Sequence, residues 1–146
     1  MMLRRPCGAG LTLIELMVTL SIVAILGAIA YPSFIDYLRH GRRADGQAAL
    51  MAVEAAQARW RVTHPAYTTI LGADGLGLAA ASADGHYRLA IIQADATSYS
   101  VTATPAGAQA ADQDCSPLRV DMNVQSDRDA GRPGLAIKRP ESCWRR

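Results

Sequence analysis

The feature that most constrains this chain is an uncharged apolar run of about twenty residues, Leu16 to Ile35, with a carboxylate, Glu15, at its head. At ~1.5 Å rise per residue such a run spans the ~30 Å of a hydrocarbon core. Its residues are good helix formers or β-branched apolar types, and lipid tolerates only helices and closed barrels, so it reads as a transmembrane helix. A carboxylate there costs ~2.5–3.5 kcal/mol or more, and such acids are usually paired and functional. No basic side chain stands one helical turn from Glu15 on either side. A backbone amine would serve instead. A cut between Gly10 and Leu11 would free one at the helix tip, within reach of Glu15 in the same chain or in a neighbour.

The block Gly10-Leu11-Thr12-Leu13-Ile14-Glu15, with a short basic leader before it and a long apolar helix after it, resembles the type IV pilin family. The resemblance implies that residues 1–10 are a leader removed after Gly10 by a membrane-embedded prepilin peptidase. The same enzyme would methylate the new N-terminus, here Leu11, where phenylalanine is commoner. Glu15 would then neutralise the amine of a neighbouring subunit during assembly. The implied partners are other pilin subunits, the prepilin peptidase/methyltransferase and an inner-membrane assembly platform. The implied location is the inner membrane, single pass, with the leader cytoplasmic and the C-terminal domain periplasmic, and later the extracellular pilus. A rival reading takes Ala28-Ile29-Ala30 as a signal-peptidase site, so that a soluble protein would start at Tyr31. Glu15 and the unbroken helical pattern argue against it.

The chain has 146 residues, room for one modest domain besides the helix. Its formal charge of +2 equals that of Arg4 and Arg5 in the leader, so a mature chain is near neutral, which argues against general coating of nucleic acid or anionic membrane. Cys7 falls in the leader, leaving Cys115 and Cys143. A pair in a small exported domain reads as a disulfide, worth ~3–4 kcal/mol on the chain-entropy estimate, with two free buried thiols as the alternative.

Beyond Ala30 the pattern stays helical, with Pro32 expected to kink or loosen the helix because it lacks an amide donor. From Tyr37 the sequence turns amphipathic: Ala49, Leu50, Val53, Ala56 and Trp60 form one stripe, and Arg42, Arg43, Glu54, Gln57 and Arg61 are expected on the other faces. Gly41 and Gly46 weaken the helix and mark bends or close packing. Pro65 should end it near His64. Residues 11–35 are thus the membrane or filament-core segment and residues 36–64 the amphipathic half. The remainder, 65–146, forms a periplasmic domain.

Pro65 to Gly85 reads as a loop. Period-two alternation then marks strands at Tyr87–Ile92, Ser98–Thr104 and Leu118–Gln125, with a turn at Asp95-Ala96-Thr97 and a short fourth strand near Leu135–Lys138. The expected fold is α+β: a long N-terminal helix, half transmembrane and half amphipathic, packed on a small antiparallel sheet of three or four strands. In pilins the disulfide-bounded C-terminal region is surface-exposed. The Tyr99–Cys115 stretch and Cys143-Trp144 resemble small minor pilins, and the disulfide separates the chain from most type II secretion pseudopilins.

No enzyme signature, cofactor motif or metal motif emerges. His40, His64 and His86 are scattered, and Asp127, Asp129 and Glu141 fit turn chemistry better than a calcium loop. A basic tail with Trp144, Arg145 and Arg146 could contact DNA, with a solvated arginine face as the plainer reading. The reading reached is a structural, non-enzymatic minor pilin of a type IV pilus. The alternatives are a type II secretion pseudopilin and a DNA-receptor pilin.

Overall fold

The computed structural model describes residues 11–124 and 136–144. One long helix, α1 (Leu13–Thr63), is followed by four strands: β1 (Tyr87–Ala94), β2 (Ser98–Pro105), β3 (Leu118–Asn123) and β4 (Ile137–Arg139). The chain divides into two compact units between Leu38 and Arg39.

In the first unit the helix begins at a cap. The Glu15 amide donates to Thr12 Oγ1 at 3.3 Å, so Thr12 satisfies one of the orphan donors of the first turn. Thr19 and Ser21 donate their hydroxyls to the carbonyls of Leu16 and Met17, at 3.0 and 2.8 Å, so neither of these two hydroxyls is left loose on an apolar helix. The apolar side chains from Leu13 to Ile29 are exposed, as are Tyr31, Phe34 and Tyr37. The helix runs through Pro32 without a break. This stretch is long and apolar enough to cross a membrane.

The second unit is the second half of α1 packed on a four-stranded antiparallel sheet in the order β1-β2-β3-β4. Strand alternation sends Tyr87 and Leu89 of β1, Tyr99, Val101 and Ala103 of β2, and Leu118 and Val120 of β3 to one face, where they meet Leu50 and Val53. Each large apolar side chain removed from water there contributes ~1.5–3 kcal/mol. The opposite face carries Arg88, Thr102, Thr104 and Arg119. Residues 64–86 are irregular apart from one bridge, Ala81 to Arg88.

The hairpin turn is built by Asp95. Its carboxylate accepts from the Thr97 and Ser98 amides, both at 2.7 Å, and from both hydroxyls, at 3.1 and 2.6 Å. These bonds, led by the Ser98 hydroxyl, hold its pKa well below the usual carboxylate range.

Several expectations need correction. Ile92 is exposed with Arg88 and Ala90, as alternation implied, but the pairing then shifts between Ile91 and Gln93, a bulge that strict alternation did not foresee. Gln57, expected on a solvent face, is fully buried because its amide pairs with the backbone of Thr68, donating at 2.6 Å and accepting at 3.2 Å. Arg43 and Glu54 also turn inward, as described below. β3 ends at Asn123 and β4 spans Ile137–Arg139; Leu135, Asp127 and Asp129 lie outside the described residues. Gly46 marks close packing, whereas nothing approaches Gly41.

Candidate functional site

The head of α1 carries the groups expected to act in assembly. Leu11 lies exposed just before the helix, and Glu15 is exposed in its first turn, three positions after the capping Thr12. Gly10, on the other side of the expected cut, lies outside the described residues, as do Cys7, Arg4 and Arg5. Thr12 was legible in the sequence: Ser/Thr-x-x-Glu before an apolar run is a capping signature. The cap fixes where the helix starts, and so fixes the spacing of Glu15 from Leu11.

The second group of sites belongs to the domain. Cys115 and Cys143 form a disulfide with a Cα–Cα distance of 5.9 Å. Cys115 ends a short 3-10 turn (Gln113–Cys115) and Cys143 ends another (Glu141–Cys143). Three polar contacts fasten these turns and the preceding one (Gly107–Ala111) to α1. Gln109 Nε2 donates to the Arg39 carbonyl at 3.2 Å, and also to the Tyr87 hydroxyl and Asp112. The Arg43 guanidinium grips both Asp112 oxygens at 2.7 Å, with side chains 13% and 3% exposed. Asp112 in turn raises the pKa of Arg43 against the opposing effect of burial. Gln47 Nε2 donates to the Cys143 carbonyl at 2.6 Å.

A further polar contact crosses from α1 to β4. Lys138 Nζ lies 3.8 Å from Glu54 Oε1, a long ion pair that leaves this buried oxygen without a hydrogen bond. Burial raises the Glu54 pKa, and Lys138 pulls it back only in part. Lys138 also lies 4.8 Å from the centre of the Trp144 ring, whose indole N–H donates to the Arg139 carbonyl at 3.3 Å. Trp144 and Lys138 are thus engaged within the domain, and Arg145 and Arg146 lie outside the described residues. The histidines are dispersed: His40 meets Arg43 at 3.1 Å, and His64 stacks on Trp60. Among the described residues no three His, Cys, Asp or Glu side chains gather closely enough to hold a metal ion.

A family model described as "Type IV minor pilin ComP, DNA uptake sequence receptor" matches residues 32–119, more than half of the chain. The chain belongs to this type IV minor pilin family. A prokaryotic N-terminal methylation motif matches residues 6–31 of the pilin, the region of the capped, apolar helix and Glu15. The pilin is also 40% identical over 52 residues to the type IV major pilin protein PilA of Myxococcus xanthus (strain DK1622), covering 36% of this chain and 24% of that relative. The chain thus spans about a quarter of the length of the curated relative it matches. Together these make it a membrane-anchored, pilus-associated member of a structural family.

Proposed function

We propose that this minor pilin is cut after Gly10, methylated on Leu11, and drawn into a pilus by pairing of Glu15 with the freed amine of a neighbouring subunit. The observation that carries this reading is an exposed apolar helix with one carboxylate in its first turn, inside the stretch that matches a methylation motif. Before assembly residues 11–35 hold the subunit in the inner membrane, leader in the cytoplasm and domain in the periplasm. The prepilin peptidase/methyltransferase and an inner-membrane assembly platform are its partners there. Lipid already solvates the apolar side chains, so moving them into a filament gains little from hydrophobic burial. Packing and the Glu15–amine pair set the register instead. Expressed beside the other pilins, Glu15→Ala should insert in the membrane normally but be depleted in sheared filaments; undiminished incorporation contradicts the pairing.

A second reading, the DNA receptor, is favoured by the description of the matching family. The matched stretch stops at Arg119, short of the tail. Arg42, Arg59 and Arg88 lie inside it, and their side chains make no ion pair or hydrogen bond among the described residues, so they can offer charge to phosphates. On this reading Arg59→Ala with Arg88→Ala weakens retention of double-stranded DNA in a gel shift of the full chain. Loss on Arg145→Ala with Arg146→Ala alone would return the contact to the tail.

A further inference from the structure

We propose that one stripe of α1 positions Cys115 and Cys143 for pairing, with Arg43 and Gln47 as the positioning residues. Arg39, Arg43 and Gln47 follow at four-residue steps and therefore share a helix face. Arg43 holds Asp112, three residues before Cys115, by two bonds of 2.7 Å. One turn further on, Gln47 holds the carbonyl of Cys143 itself at 2.6 Å. The two cysteine-bearing turns are only three residues each and have no side-chain cap, so little in their own structure fixes their place. The β3–β4 ladder between them is three residue pairs long. The helix supplies what these segments lack: a fixed surface that meets both cysteine segments.

The chemistry follows from thiol–disulfide exchange with a disulfide-bearing donor. One cysteine thiolate attacks a donor sulfur, forming a mixed disulfide and expelling one donor thiolate. The second cysteine thiolate then attacks the chain's own sulfur in that mixed disulfide, closing the Cys115–Cys143 bond and expelling the other donor thiolate. The chain loses two electrons and two protons, and the donor disulfide is reduced. The rate and equilibrium of the closing step depend on how often the two cysteines meet, and the Arg43 and Gln47 contacts raise that frequency. By linkage the closed bond reinforces the same contacts equally. A side chain that only stabilised the fold would favour the reduced and oxidised proteins alike and leave their ratio unchanged.

The test is to equilibrate the full chain in detergent micelles with reduced and oxidised glutathione, trap free thiols by alkylation, and read the two forms by mass spectrometry. Gln47→Leu should lower the effective concentration of the cysteine pair by about threefold to tenfold, the range of one net hydrogen bond. Arg43→Met should lower it by more than about tenfold, since a bidentate charge-assisted pair is lost. Where Arg43→Met does not fold, Arg43→Lys, which keeps the charge but loses the fork, takes its place. Val62→Ala, on an exposed position, should leave the value unchanged. The proposal stands only if both helix positions lower it; an unchanged value at either one overturns it.

Discussion

The ring of Tyr87 occupies the space into which a side chain at Gly46 would project. A Cβ at residue 46 would stand 2.9 Å from both Cγ and Cδ2 of that ring and 3.0 Å from Leu118 Cδ1. Tyr87 and Leu118 are fully buried, so neither has room to withdraw. Gly46→Ala would gain ~1 kcal/mol of helix propensity yet incur ~1–3 kcal/mol of overpacking. Net destabilisation of about 1 kcal/mol is expected in urea unfolding. Gly41→Ala, facing open space, should stabilise.

Arg43 and the buried Asp112 form a bidentate pair that a single substitution breaks. Asp112→Ala leaves the part-buried Arg43 guanidinium without its bidentate partner, and losing a charge-assisted bond of this kind costs ~1.5–3 kcal/mol. The thermal midpoint should fall sharply, and Gln109, which also donates to Asp112, loses a partner in the same step.

Glu54 gives the domain a pH dependence of unusual sign. Its pKa is raised in the folded protein, chiefly by burial, so its contribution to stability is fully present below the ordinary glutamate value near ~4.3 and is lost as pH rises through the raised value. Glu54→Gln removes that titration. In urea melts the variant should gain on the parent between about pH 4 and pH 7, and a gap that stays flat would contradict the burial argument.

Asp95 works in the opposite direction. Its folded pKa is depressed by the Ser98 hydroxyl and the Thr97 and Ser98 amides, so it contributes stability above the ordinary aspartate value near ~3.9 and loses it as pH falls. Asp95→Ala should loosen the β1–β2 hairpin at neutral pH. Its deficit in thermal midpoint should shrink on acidification below about pH 4, because the parent then loses the same bonds.

These cases show which parts of the molecule were readable in advance. The helix, the hairpin turn at Asp95 and the faces of β1 to β3 follow from local periodicity, and the helix ended one residue before His64, as Pro65 implied. The disulfide followed from counting cysteines. Arg43, Glu54 and Gln57 were misplaced because a binary pattern sends every polar helix residue to solvent. Whether such a residue turns inward depends on a partner outside the helix, 11 positions away for Gln57 and 69 for Arg43. The bulge at Ile92 was hidden because Ile91 and Ile92 are both apolar, so alternation gave no sign of an extra residue. The Gly46 contact was legible only as a choice between a bend and close packing; Tyr87, 41 positions later, decides it.

Processing at the head of the helix has its own signature. Replacing Gly10 by a bulky residue such as tryptophan should block the cut and leave a precursor about ten residues longer, visible as a slower band on a denaturing gel. A band of mature size would place the cut elsewhere.

The most direct measurement is the mass of the N-terminal peptide from subunits recovered in sheared filaments. Processing before Leu11, with Glu15 meeting the freed amine, predicts a first residue of leucine carrying one added methyl group. Filaments whose subunits still begin at Met1, or begin at Tyr31, would contradict it.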